Sequence, residues 1–319
     1  MYAEPYINMN LKGTMITENY SLKKNNTFGL DIKARYFASP SNVEMARNLI
    51  LDPVYGSLRK LVLGGGSNIL FTEDYNGLII KPSIKDISIS GEDKEFVWLR
   101  SGAGVVWDDF ASYCVDRGWG GAENLSWIPG TVGAAPVQNI GAYGVEAGDI
   151  IDSVEYIDMK SGRLVEIRGE ECHFGYRDSV FKHSLKSVAM IVYVTFRLNK
   201  RPVLNTRYAD LSEYFGENTP SLQNVREAVI EIRKKKLPDP AVTGNAGSFF
   251  KNPVVPAEQA ERLKRDNPSL KLYPAGEGYC KLPAAWLIDQ CGFKGKRIGR
   301  DQDMPNFPHC MVLPLLTAV

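Results

Sequence analysis

Asn124-Leu125-Ser126-Trp127-Ile128-Pro129-Gly130-Thr131-Val132-Gly133-Ala134-Ala135-Pro136-Val137-Gln138-Asn139-Ile140-Gly141-Ala142-Tyr143-Gly144 is the most informative stretch of the chain. Small residues fill most of it, it carries no charge, and it shows neither helical nor strand periodicity. Backbone in such a run can approach something large and flat, or polyanionic. Glycine also permits close packing of chain on chain. Upstream, Leu61-Val62-Leu63 runs into Gly64-Gly65-Gly66-Ser67-Asn68, where N–H groups unobstructed by side chains can close around an anion. This second loop is neither G-x-x-x-x-G-K-[ST] nor a G-x-G-x-x-G opening a helix, and alone it reads equally well as a tight turn between strands. Two such loops in one lobe favour a pyrophosphate-bearing cofactor.

The chain has 319 residues, enough for two or three domains, and can bury a large core without staples. Its 38 basic and 37 acidic residues nearly cancel, which argues against a nucleic-acid or membrane surface. Five cysteines without a C-x-x-C fit a reduced, cytoplasmic chain. Cys172 and His173 are adjacent, and adjacent residues on a strand face opposite ways, so no metal site is expected. Met1–Asn10 has no apolar core of a signal peptide. The longest apolar run, about Val188–Phe196, suits a buried strand and is too short to span a bilayer.

Strands are expected at Leu61–Leu63, Gly77–Pro82, Phe96–Arg100 and Val188–Leu198, with a hairpin of Ser153–Asp158 and Arg163–Ile167. Trp107, Phe110, Ala111, Cys114 and Val115 recur at helical spacing, with Gly118 as the stop. A long helix capped by Ser221 carries the stripe Leu222, Val225, Val229 and Ile232 and must end before Leu237-Pro238-Asp239-Pro240. That proline cluster is the expected domain boundary. Pro256 and Pro283 each sit where a helix can begin.

Two further strings carry chemistry. In Gly175-Tyr176-Arg177-Asp178-Ser179-Val180-Phe181-Lys182, the guanidinium offers a planar fork suited to a carboxylate, although a solvated turn is the default reading. In Gly244-Asn245-Ala246-Gly247-Ser248-Phe249-Phe250-Lys251-Asn252-Pro253, no histidine is near to make Ser248 a nucleophile. A hydroxyl can instead donate a proton at a carbon centre.

Together these segments resemble the UDP-N-acetylenolpyruvoylglucosamine reductase family. The resemblance implies an α+β fold: a two-lobed FAD-binding domain of the vanillyl-alcohol-oxidase type, with lobes at 1–85 and 86–236, and an α+β substrate-binding domain at 237–319. It implies that Gly64, Gly65, Gly66, Ser67 and Asn68 bind FAD together with Ser126, Pro129, Gly130, Thr131, Gly133 and Ala134, and with Asn139, Gly141, Tyr143 and Gly144. With no histidine in either loop, the flavin is expected to be noncovalent. NADPH is the implied hydride donor and UDP-N-acetylenolpyruvoylglucosamine the implied substrate, reduced to UDP-N-acetylmuramate for peptidoglycan. Arg177 falls on the arginine that polarises the substrate carboxylate, and Ser248 on the proton donor. Tyr176, Lys236 and Asn252 fall on substrate contacts. The segment Pro202–Leu211 is similar to a loop of the family's first type, in which Tyr208 closes over the nucleotide. From Arg300 the sequence departs from the family pattern, which continues with a His-x-x-Gln segment and a closing glutamate. A shifted reading frame is the expected cause, and a flavin- or nucleotide-sugar-binding protein with poor turnover the alternative outcome.

Overall fold

Short runs of β-branched and aromatic residues between glycine turns build two sheets. The computed structural model describes residues 7–9, 14–247 and 250–293, and the departure expected from Arg300 onward lies outside them. The chain divides into two units, Met1–Lys236 and Leu237–Val319. In the first unit, β1 (Ile7–Met9), β2 (Met15–Ser21), β3 (Lys33–Ala38), β4 (Lys60–Val62) and β5 (Tyr75–Ile80) form one sheet in the order β1-β2-β3-β5-β4. β3, β5 and β4 are parallel, with Ala38 and Val62 both opposite Ile80. The carboxyl ends of three strands therefore lie side by side, and the Gly64–Asn68 loop leaves the sheet there. Helix α1 (Val43–Ile50) is capped by Asn42, whose side chain accepts from the Met45 N–H, and it buries Ala46, Leu49 and Ile50.

The second sheet is antiparallel throughout. It contains β6 (Ile87–Glu92), β7 (Phe96–Gly102), β8 (Ile151–Asp158), β9 (Leu164–Arg168) and β10 (Ala189–Asn199) in the order β9-β8-β10-β7-β6. A bulge in β10, where the Glu155–Tyr193 pairing gives way to Tyr156–Ile191, lets the strand feed two cores. Val97, Leu99, Val154, Val194 and Phe196 pack with helix α2 (Trp107–Val115) in the largest core. Ile157, Met190 and Val192 join Leu78, Ile80 and Leu49 and so bind the two sheets together. Phe110 and Phe196 lie 4.4 Å apart between ring centroids, and the Trp107 indole N–H donates to the Leu125 carbonyl at 2.8 Å.

Helix α3 (Ala209–Phe215) and helix α4 (Leu222–Lys236) complete this unit. The Ser221 hydroxyl accepts from the Asn224 N–H at 3.2 Å, as an N-terminal cap does. Val225, Val229 and Ile232 of the expected stripe, with Ala228, are buried against Leu211, Phe215 and Tyr143, while Leu222 is only half-buried. Arg226, on the same face, is also buried. It reaches Asp108 of α2 through a two-pronged bond of 2.7 and 3.0 Å.

Burial alone would raise the Asp108 carboxyl. The Arg226 guanidinium, the Trp127 N–H and the charge of Arg233 outweigh it and hold the carboxyl below its ordinary range. A carboxyl depressed in the folded state adds stability that is present above its unfolded pKa, about 4, and is lost as pH falls through the lower folded value. We expect Asp108→Asn to cost about 3 kcal/mol at neutral pH by stranding the Arg226 charge. The same substitution should flatten the acid limb of a stability–pH profile. Urea unfolding at a series of pH values checks both; an equal acid loss in native protein and variant would contradict them.

In the second unit, β11 (Val254–Pro256), β12 (Tyr273–Pro274) and β13 (Tyr279–Lys281) pair in the order β11-β13-β12. They accompany helices α5 (Ala257–Asp266) and α6 (Ala284–Gln290) around Ala260, Leu270 and Leu282. Pro256 and Pro283 stand immediately before those two helices. Gly118 stops α2 as expected: past the capping residue Asp116 it turns left-handed at φ 75°, and the next N–H, of Trp119, donates back to the Cys114 carbonyl at 3.0 Å. One local expectation needs correction. Cys172 and His173 lie in a tight turn rather than on a strand, because Gly169 and a left-handed His173 (φ 46°) bend the chain after β9. No described helix is long and apolar enough to cross a membrane.

Candidate functional site

The two loops singled out in the sequence meet. A β-carbon on Gly65 would lie 2.7 Å from the Gly130 Cα, and one on Gly64 would lie 2.9 Å from the Ala134 Cβ. Gly66, at φ 68°, presses against the Asn25 backbone. The glycines are thus needed first for chain-on-chain approach. The Ser67 hydroxyl donates to the Pro129 carbonyl at 3.0 Å and the Asn68 amide to the Gln138 side chain at 2.7 Å, which ties the loops together.

This leaves a row of donors. Among the described residues, the N–H groups of Gly64, Gly65, Gly66, Ser67 and Asn68 have no acceptor, nor do those of Gly130 and Thr131. Consecutive unpaired amides at a strand end form an anion-binding concavity. The cradle fits a pyrophosphate taken up by backbone amides. The remaining residues of the long stretch hold its frame. The buried Ser126 hydroxyl donates to the Glu123 carbonyl at 2.7 Å. Gly133 packs against Ala103. Asn139 donates to Glu146 at 2.6 Å and to the Gly175 carbonyl at 3.0 Å, and accepts from the Gly148 N–H at 2.7 Å. Its amide is fully engaged in holding the loop. Tyr143 is buried with α4, and burial pushes its hydroxyl up to about 12. Gly144, at φ 80°, carries the turn onward.

Arg177 also comes to this loop. It sits at φ 55° in a tight turn closed by reciprocal backbone bonds of 3.0 Å between Gly175 and Asp178. Its guanidinium donates to the carbonyls of Asn139, at 3.2 Å, and Gly141. A guanidinium has five N–H donors, so anchoring leaves capacity for a ligand. Tyr176 lies beside it, with the guanidinium 5.8 Å from the ring centre. Trp127, Asn139, Tyr143 and Arg177 all hold left-handed backbone, which for residues with a β-carbon stores strain that surrounding contacts must maintain.

Tyr208, 38% exposed, precedes α3 and meets Tyr143 edge-on at 5.4 Å. The Lys236 ammonium pairs with Asp210 at 2.7 Å. Both therefore belong to the same region of the first unit as Tyr143. Sequence reasoning missed Arg233. Its Nε donates to the Trp127 carbonyl at 3.2 Å. Burial lowers its pKa; Tyr143 and Asp108 oppose that shift and Arg177 adds to it. The available signal was its place seven residues after Arg226, on the buried side of α4.

In the second unit, Ser248 lies outside the described residues. The loop leading to it is ordered by Asn245, which donates to the carbonyls of Pro238 (3.0 Å) and Thr243 (2.7 Å) and accepts from the Gly247 N–H (2.8 Å). The Asn252 side chain accepts from the Ala284 N–H at 2.9 Å, at the start of α6.

Comparison with known proteins gives concordant matches. A family model described as FAD binding domain matches residues 34–168. One described as UDP-N-acetylenolpyruvoylglucosamine reductase, C-terminal domain, matches residues 239–312. The chain is 46% identical over 285 residues to the UDP-N-acetylenolpyruvoylglucosamine reductase of Amoebophilus asiaticus, covering 88% of this chain and 84% of that one. It is 47% identical over 282 residues to the protein of the same name from Chromobacterium violaceum, covering 87% and 83%. The crystal structure of UDP-N-acetylenolpyruvylglucosamine reductase from Thermus caldophilus superposes with a TM-score of 0.61 at 22% identity, over 92% of this chain and 84% of that one, which is a likeness of fold.

Proposed function

Since the chain belongs to the UDP-N-acetylenolpyruvoylglucosamine reductase family, we infer that the cradle of residues 64–68 and 126–144 is its FAD site. The protein is a flavin-dependent oxidoreductase of peptidoglycan synthesis, using NADPH to reduce UDP-N-acetylenolpyruvoylglucosamine to UDP-N-acetylmuramate. FAD, when bound, supplies the transfer of a hydride from NADPH to the enol-ether carbon. The observation that carries the assignment of the site is the row of acceptor-free amides on Gly64–Asn68 facing Gly130 and Thr131.

The chain's own residues bind, orient and protonate. Arg177, anchored by two carbonyls, is proposed to take the substrate carboxylate and stabilise the charge that develops there. Ser248 is proposed to deliver the proton to the carbon next to the one that receives hydride, with Asn245 fixing the loop that carries it. Tyr176, Tyr208, Lys236 and Asn252 are proposed to hold the substrate. We assign residues 1–85 and 86–236 to the two cofactor lobes and 237–319 to substrate binding. The even charge, and the free cysteines among the described residues, suit the cytoplasm.

The purified protein is expected to be yellow, to release FAD on acid extraction without proteolysis, and to form UDP-N-acetylmuramate from NADPH and the enolpyruvyl substrate. A folded, colourless preparation that takes up no added FAD would overturn the cofactor site.

A further inference from the structure

Lys81 follows β5 immediately, at the carboxyl ends of the parallel strands, and its N–H donates to the Ala38 carbonyl at 2.9 Å. Its ammonium is partly buried and donates to the Asn25 amide oxygen at 2.5 Å. Asn25 is the residue whose backbone presses on Gly66, and the next turn continues the contact, since the Thr27 N–H donates to the Gly66 carbonyl at 3.1 Å. Lys81 is therefore one residue removed from the row of open amides. No carboxylate among the described residues pairs with it. Burial lowers the lysine's pKa, and the neighbouring charge of Lys85 lowers it further.

A partly desolvated cation whose partner is a neutral amide is destabilising unless an anion completes it. Its placement beneath an anion-binding loop says where that anion sits. We propose that Lys81 is the electrostatic counterpart of the cofactor's pyrophosphate, acting through Asn25 and the Gly64–Asn68 loop as a positioning and affinity-setting residue. The proposal rests on the FAD site inferred above. The bland alternative is that Lys81 merely pins Asn25 in place.

The two roles separate in apoprotein stripped of flavin and titrated with FAD by fluorescence. Lys81→Met should weaken FAD binding by roughly 10- to 100-fold, the range for loss of a charged interaction. It should also flatten the dependence of affinity on ionic strength, and Lys81→Arg should restore much of both. Asn25→Asp is the sharper variant. It supplies the missing carboxylate, so it should strengthen the pin and raise the apoprotein's melting temperature while weakening FAD binding. If Asn25→Asp binds FAD as well as the native chain does, or if Lys81→Met keeps native affinity and salt dependence, the lysine is a pin and the proposal fails. Native apoprotein that takes up no FAD at all would instead remove the cofactor site itself.

Discussion

Ser248→Ala is expected to leave NADPH-driven bleaching of the bound flavin near its native rate and to slow recolouring by the enolpyruvyl substrate by about 10²–10⁴-fold, the usual contribution of a positioned proton donor. The asymmetry follows from where a proton is needed. Hydride transfer from NADPH calls for no proton at the substrate carbons, whereas saturating the enol-ether double bond places one proton beside the incoming hydride. Alanine removes one oxygen and adds no atom, so it should leave undisturbed the preceding loop that Asn245 fixes by three hydrogen bonds. Stopped-flow absorbance at the flavin band separates the two phases. Equal slowing of both would point to a damaged cofactor site, and native recolouring would remove Ser248 from the proton path. Ser248→Cys keeps a donor and should recover part of the loss.

Arg177→Lys should impair the same phase by roughly 10- to 100-fold although the charge is kept, since a charged hydrogen bond contributes about 1.5–3 kcal/mol. The native guanidinium uses donors on the Asn139 and Gly141 carbonyls and retains others. An ammonium is a point charge on a flexible stem and cannot hold both carbonyls and a carboxylate in one plane. A β-carbon on Gly141 would lie 2.8 Å from an Arg177 nitrogen, so the guanidinium fills a space shaped for it. The loss is expected mainly in kcat. A rise in KM with unchanged kcat would show that Arg177 binds the ground state only, contrary to the assigned role.

Much of the frame was legible from local pattern. The α2 periodicity, the Ser221 cap and the proline cluster each have a cause within a few residues, and the helices end where those causes act. The glycine loops were legible as close-approach segments, but not what approaches. Gly65 meets Gly130 and Gly64 meets Ala134 across more than sixty positions of chain, a pairing that depends on how two sheets stack. The charged pairs were hidden for the same reason. Asp108 and Arg226 are 118 residues apart, and Lys81 and Asn25 are 56 apart. No spacing rule connects such partners. Cys172 and His173 failed in the opposite way: strand alternation was extended past β9 into a turn that a left-handed His173 closes.

The left-handed backbone at Trp127, Asn139, Tyr143 and Arg177 bears on how this protein would respond to laboratory evolution. Each such residue stores about 1–3 kcal/mol, and glycine at that position releases it against an unfolded-state entropy cost of about 0.4–1 kcal/mol. At Tyr143 the lost core packing, and at Asn139 the three lost hydrogen bonds, outweigh that release. At Arg177, held by two carbonyls, the opposing terms are close, and a screen that rewards heat resistance alone would admit glycine there and delete the guanidinium. Variants ranked by melting temperature would drift toward robust, flavin-coloured proteins that no longer turn over, and a useful screen must score product together with survival.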